Sequence, residues 1–206
     1  MIKIESLSRW QTDVRAFHKL LDLPTGNYTG ESVGLGGELL TTRIKLIAEE
    51  VQETLDAWAA CDLVEVVDGI IDVGYVVLGS FDCVGVACNP RFEELTATSA
   101  YRGWKGFPED GLRPLAFCAA QALAMMRQHE AQGSEFKRWD LLEAVMKDIA
   151  RTFQGIGIDP RPSWVAVHTS NCLKFGGPVI DGKLRKPVGW LPPNLVRVLE
   201  SQGVAL

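Results

Sequence analysis

Arg43-Ile-Lys-Leu-Ile-Ala-Glu-Glu-Val-Gln-Glu53, with Glu65-Val-Val-Asp-Gly-Ile-Ile-Asp-Val-Gly-Tyr75 downstream of it, are the stretches on which the fold turns. Both show apolar residues at the three- and four-residue spacing of a helix. At about 100° per residue, Leu40, Ile44, Ile47, Val51, Leu55 and Trp58 form one apolar arc, with Leu39 and Leu46 beyond it on the far side of Glu50. Glu50 is thus bracketed by core positions, Glu53 lies about 60° away and Glu49 is further round. A helix decorated for solubility would carry its acids opposite the arc. In the second stretch Leu63, Val64, Val66, Val67, Ile70, Ile71, Val73, Val76, Val77 and Leu78 cover nearly the whole circumference, the pattern of a helix buried on most sides. Yet Glu65, Asp68 and Asp72, spaced i, i+3, i+7, share one stripe about 60° wide. Carboxylates in a buried stripe repel one another and are costly to desolvate, so they require cations or dense hydrogen bonding. No basic residue lies within this helix.

Packed antiparallel, the two helices would turn Glu50 and Glu53 towards Glu65, Asp68 and Asp72, building an all-oxygen pocket. Such a donor set suits Mg²⁺ or Mn²⁺, with waters and substrate phosphates completing the coordination. A carboxylate-bridged di-iron bundle would want Glu-x-x-His motifs, and none of His18, His129 or His168 has a Glu three positions earlier.

Outward from this hairpin, helical periodicity dominates the 206 residues. The pattern predicts helices over Ile4–Leu21, Glu38–Ala60, Leu63–Cys83, Arg113–Gln132, Phe136–Gln154 and Ser163–Lys174, with a short helix within Phe92–Gly111 and a mostly extended, Gly- and Pro-rich remainder. The expected fold is all-α with a four-helix-bundle core, in a single domain over 1–206 containing a metal-binding hairpin 38–83, an extra hairpin about 113–154 and a C-terminal segment 160–206. The two hairpins echo each other. Val84-Gly85-Val86 closes the first and Ile156-Gly157-Ile158 the second, and Pro90-Arg91 and Thr98-Ser99 recur as Pro160-Arg161 and Thr169-Ser170. A degenerate duplication and chance likeness of amphipathic hairpins both account for this.

Composition sets the partners. With 26 acidic against 21 basic residues, a net charge of −5, there is no basic stripe for a nucleic-acid backbone. Asp72 interrupts the best apolar run, which falls short of the roughly 20 residues a membrane span needs. The start Met-Ile-Lys-Ile-Glu-Ser lacks the apolar core of a signal peptide, so a cytoplasmic protein is expected. Cys61, Cys83, Cys88, Cys118 and Cys172 show no C-x-x-C spacing and read as small buried hydrophobes. The six tryptophans, Trp190 among them, read as core rather than as base-stacking residues.

The motifs Glu50-Val-Gln-Glu53 and Glu65-Val-Val-Asp68, the doubled acid Glu49-Glu50 and the run Asp68 to Gly79 resemble the MazG-like, all-α nucleoside triphosphate pyrophosphohydrolases, including the branch named after phosphoribosyl-ATP pyrophosphohydrolase. Val14-Arg-Ala-Phe-His18 with Leu23-Pro24 is similar to that branch too, as is Val167-His168-Thr-Ser-Asn171-Cys-Leu-Lys174 followed by Asp181-Gly-Lys183 and Lys186-Pro. The resemblance spans about residues 10–86 and 160–195. It departs from the family's pattern in the inserted region, roughly 88–157, which lacks the acids: Ala120, Gln121 and Ala124 stand 71 positions after Glu49, Glu50 and Glu53.

The resemblance implies a bundle core of MazG-like type and hydrolysis between the α- and β-phosphates of a nucleoside triphosphate, releasing a monophosphate and pyrophosphate with Mg²⁺ or Mn²⁺. It supports metal-ligand roles for Glu50, Glu53, Glu65 and Asp68, with Asp72 as a further ligand or a residue that holds the ligands, and Glu49, on the rim of the same face, is the candidate for orienting or deprotonating the water. Lys174, Lys183 and Lys186 would contact phosphates, and His168 and Asn171 would hydrogen-bond the nucleotide. Similar proteins pair two chains to complete their core; here a homodimer and a bundle closed by the extra hairpin are both open. The base is not readable: dUTP, dCTP, canonical dNTPs, oxidised nucleotides and phosphoribosyl-ATP suit the same machinery, in housekeeping, pool-shaping or viral roles alike. A metal-nucleotide sensor and a helical assembly protein are the other classes compatible with the acids.

Overall fold

The computed structural model describes residues 7–28, 33–89, 103, 105–106, 110–180 and 183–206, and of residues 179, 180, 183 and 184 the backbone alone. The expected helix within Phe92–Gly111 falls almost entirely outside the described residues, as do residues 4–6 of the first predicted helix and the repeated elements at Pro90-Arg91 and Thr98-Ser99.

The two decisive stretches fold as α2 (Gly37–Ala59) and α3 (Leu63–Val84), an antiparallel hairpin whose break is set by local chemistry. Cys61 adopts a positive φ of 57°. The Asp62 carboxylate then accepts hydrogen bonds from the Val64 and Glu65 amides, capping α3 where those groups lack helical partners. Gly85, at φ 71°, ends α3 in the left-handed conformation.

A second hairpin, α4 (Arg113–Ala131) and α5 (Trp139–Ile156), packs back on the first, α4 against α2 and α5 against α3. The four helices form one bundle within the chain. It ends as the first does, on a left-handed glycine, Gly157 at φ 78°. The other side of α3 is covered by α1 (Arg9–Leu20), α6 (Pro160–Cys172) and α7 (Leu195–Glu200). Flanked so widely, α3 needs apolar residues all round, and Val66, Val67, Ile70, Ile71, Val73, Val77, Leu78 and Phe81 are fully enclosed. At about 1.5–3 kcal/mol for each large side chain buried, this outweighs the cost of the polar groups α3 carries. Trp10 and Trp164, stacked at 3.9 Å between ring centroids, join α1 to α6. Among the described residues no helix is long and apolar enough to cross a membrane.

Three expectations are corrected. The second hairpin's later helix starts at Trp139 rather than Phe136, because Phe136 makes a bridge with Leu35. α6 starts at Pro160 rather than Ser163, since Asp159 caps it by accepting from the Arg161 amide and Pro160 suits a first turn. The C-terminal remainder is not simply extended: a two-residue hairpin pairs β1 (Val179–Ile180) with β2 (Lys183–Leu184), and α7 forms where Asn194 caps it and Leu195 and Leu199 turn one buried face inward.

At its C-terminal end the polar stripe of α3 reaches Asp82, which is fully buried and answered by partners. Arg15 Nη1 and the Tyr28 hydroxyl donate to one oxygen at 3.1 and 2.6 Å, and His18 Nδ1 lies 3.6 Å from the other. Burial, then the neighbouring carboxylate, pushes the Tyr28 hydroxyl far above its ordinary range. Burial, then Arg43, pushes His18 below its usual value. Arg43 itself crosses α3 at Gly79, donating to the Val76 carbonyl and, at 3.0 Å, to Ser80 Oγ.

Candidate active site

The N-terminal half of the same stripe has a different environment. α2 and α3 cross where Gly69 meets Thr54, whose hydroxyl turns back to the Glu50 carbonyl at 2.6 Å. The close crossing brings Glu50 and Glu53 of α2 alongside Asp68 and Asp72 of α3. Burial is the largest influence on both aspartates and pushes each carboxyl up to about 7. Negative neighbours push further in the same direction: Asp72 and Glu65 act on Asp68, Glu50 and Glu53 on Asp72. The predicted metal ligands Glu50, Glu53, Glu65, Asp68 and Asp72 thus share one field. Glu53 and Glu65 are exposed at the rim, whereas Glu50, Asp68 and Asp72 sit half-buried.

Positive charge reaches this stripe from the C-terminal part of the chain. Asn171, buried near the end of α6, hydrogen-bonds Asp72. Lys174, just beyond α6, pulls both aspartates back down, and Lys186 does the same for Asp68. Three of the predicted phosphate and nucleotide contacts therefore converge on the predicted metal ligands, across a sequence separation of about a hundred residues. Sequence reasoning missed Trp190, which had read as core. The ring is half-buried and carries Lys186 Nζ at 4.0 Å and Lys174 Nζ at 5.9 Å from its centroid.

His168 is not brought in. His168 faces Tyr75, whose hydroxyl lies 3.0 Å from Nδ1, and Cys172, whose sulfur lies 3.7 Å from Nε2. Burial lowers its basicity, and Asp13 is the charge that opposes this. His168 is the helix neighbour of Asn171 on α6, but its ring packs on the α1 side of α3 with Trp164, which donates to Asp13 at 2.9 Å. Glu49 is half-buried on α2 and is not among the groups acting most strongly on either aspartate. The Lys183 side chain lies outside the described residues. A separate recess lies between the 26–27 and 33–37 segments and the turn at 133–135, with Glu135 as an acid on its lining.

The donor set fits a hard divalent cation. Asp68 Oδ1 is buried with no hydrogen-bond partner, in a field of like charges that a cation would neutralise. Among the described residues no group of three His, Cys, Asp or Glu side chains is closed tightly enough to hold an ion as it stands. Like-charged carboxylates without a counter-charge stay apart. Chemically the site offers oxygen ligands on one wall and an amide and two ammonium groups on the other, the complement of a metal-bound polyphosphate.

No curated protein and no solved structure matches the chain at a significant level. The family model described as phosphoribosyl-ATP pyrophosphohydrolase matches residues 14–99, a range that holds α2, α3 and every predicted acid but ends before α4, α5 and α6. Over residues 14–99, less than half of its length, the chain is therefore similar to the phosphoribosyl-ATP pyrophosphohydrolase family.

Proposed function

We propose that the protein is a Mg²⁺- or Mn²⁺-dependent nucleoside triphosphate pyrophosphohydrolase that cleaves between the α- and β-phosphates of an NTP or dNTP. The observation that carries this reading is the buried Asp68 Oδ1 atom, without a hydrogen-bond partner, in a stripe whose other members are acids and whose facing groups are Asn171, Lys174 and Lys186. Glu50, Glu53, Glu65 and Asp68 would hold the metal, with Asp72 as a further ligand fixed by Asn171. Bound there, the metal supplies neutralisation of phosphate charge and a lowered pKa for an attacking water. Lys174 and Lys186 bind the phosphates, as compact cations suited to a leaving pyrophosphate. Lys183 is assigned to phosphate binding from the sequence alone. Glu49, on the rim of α2, orients the water or accepts its proton. His168 takes no part in contacting the nucleotide in this reading: with Tyr75 it seats α6 on α3, which delivers Asn171 to Asp72. The α4–α5 hairpin closes the bundle, so one chain is sufficient for the site.

The test is pyrophosphate release from a panel of NTPs and dNTPs with Mg²⁺ or Mn²⁺, comparing wild type with Glu50→Gln and Asp68→Asn. Metal-dependent release lost in both variants is the expected result, and the preferred nucleotide then defines the biological role. Binding of the metal-nucleotide without release would replace the hydrolase by a sensor.

A further inference from the structure

We propose that Trp190 is a positioning residue: its indole, pinned to the end of α6, holds the Lys186 and Lys174 ammonium groups against the Asp68–Asp72 stripe and so sets how tightly the phosphates bind. The inference rests on the phosphate-binding reading of those lysines and extends it to a residue that reading leaves unused.

Four contacts carry it. The indole N–H donates to the Ser170 carbonyl at 3.0 Å, and the Ser170 hydroxyl donates to the carbonyl of Leu191 at 3.0 Å. These reciprocal bonds clasp the C-terminal segment to the last turn of α6, the turn that also presents Asn171 to Asp72. The face of the ring carries Lys186 Nζ at 4.0 Å and Lys174 Nζ at 5.9 Å, an attraction of cation to ring quadrupole. Lys186 is exposed, so without the ring its flexible stem would range through solvent. With it, two mutually repelling ammonium groups from different segments stay on the side from which both act on Asp68. Tryptophan supplies both needs at once, the strongest aromatic face for a cation and an N–H for the anchor. Because Lys186 covers the ring at 4.0 Å, that face serves the lysine rather than a nucleotide base.

The test uses the full chain and the variants Trp190→Leu, Trp190→Phe, Lys186→Met and the double variant Trp190→Leu/Lys186→Met. Methylene NMR resonances next to the Lys186 ammonium, assigned by their loss in Lys186→Met, should be shifted upfield by the indole in wild type and return to ordinary values in Trp190→Leu. Affinity for inorganic pyrophosphate with Mg²⁺, measured by calorimetry, should fall about two- to thirtyfold in Trp190→Leu, the range of a cation–π contact. KM should rise in parallel and kcat stay within about twofold. Trp190→Phe, which keeps a ring face, should recover most of the loss, and Trp190→Leu should add little once Lys186 is Met. Unshifted Lys186 resonances in wild type overturn the proposal, as does undiminished pyrophosphate affinity in Trp190→Leu or an equal loss on the Lys186→Met background. Should Trp190→Leu fail to fold, the wild-type resonances and Trp190→Phe still decide. A wild type that binds no pyrophosphate and hydrolyses no nucleotide overturns the hydrolase reading and this inference with it; binding by wild type with an indifferent Trp190→Leu overturns the inference alone.

Discussion

Gly69 of α3 lies against Thr54 of α2 so closely that a β-carbon at position 69 would stand 2.5 Å from Thr54 Oγ1 and 3.1 Å from Thr54 Cα. Thr54 is 1% exposed and cannot swing away. This contact fixes the separation of the two helices next to Glu53 on one side and Asp68 on the other. The missing side chain is therefore what lets the two acid-bearing helices approach this closely.

Gly69→Ala should destabilise the protein by about 1–3 kcal/mol, the usual cost of forcing extra volume into a packed crossing. Gly74→Ala is the control. There a β-carbon would meet Ile149 Cδ1 at 3.5 Å, ordinary contact distance, and the helix should gain up to about 1 kcal/mol. Urea denaturation of both variants, with Mg²⁺ affinity measured alongside, checks the pair; equal effects would refute the crossing as the cause.

Asp68→Asn removes one charge from a half-buried, repelling stripe. In the absence of metal it should stabilise the protein by about 1–3 kcal/mol near pH 8, where the native carboxyl must ionise against burial and its neighbours. The same variant should lose the rise in Tm that Mg²⁺ gives wild type. Greater stability with retained metal response would contradict the assignment of Asp68 as a ligand.

The pH dependence has a definite sign. Asp68 and Asp72 titrate near 7 in the folded chain against an ordinary 3.8, so between those values the native state binds more protons than the unfolded one. Their contribution is fully present below 3.8 and is lost as pH rises through about 7. Metal-free protein should thus lose part of its stability between about pH 5 and pH 8, and Mg²⁺ should raise Tm more at the upper end because binding must displace those protons. A melting series with and without Mg²⁺, with calorimetry in buffers of different ionisation enthalpy, reads both; pH-independent metal binding without proton release would count against the carboxylate site.

Tyr28→Phe deletes the 2.6 Å hydrogen bond to the buried Asp82 carboxylate. A loss of about 1.5–3 kcal/mol is expected for a bond to a charged group. Asp82 is ten residues, about 15 Å, along α3 from Asp72, so kcat should change less than about twofold. Denaturation curves and steady-state kinetics together separate the two ends of the stripe.

Asp82 and Asp68 also show where the sequence stops being readable. Glu65, Asp68, Asp72 and Asp82 look alike in the chain, as acids at helical spacing in an apolar helix. Only the folded structure supplies Arg15 and Tyr28 to Asp82 and leaves Asp68 Oδ1 without a partner. His168, Asn171 and Lys174 form one motif in sequence, yet a turn of α6 separates a ring packed on Tyr75 from an amide bonded to Asp72. Trp190 had no distinguishing signal at all, since its neighbours Ser170, Lys174 and Lys186 become neighbours only when the C-terminal segment folds back on α6.

By itself the sequence determined the helical class, the limits of α2 and α3 to within a residue at each end, and the acidic stripe. Each of these depends on local periodicity, on caps such as Asp62 and on breakers such as Gly85, which act over one or two turns. The tertiary structure decided which acids are compensated, that the second hairpin closes the bundle within the chain, and that lysines from the C-terminal segment face the carboxylates of α3. Those outcomes depend on burial and on contacts between segments some hundred residues apart, and a charge's partner across such a distance is set by packing rather than by spacing.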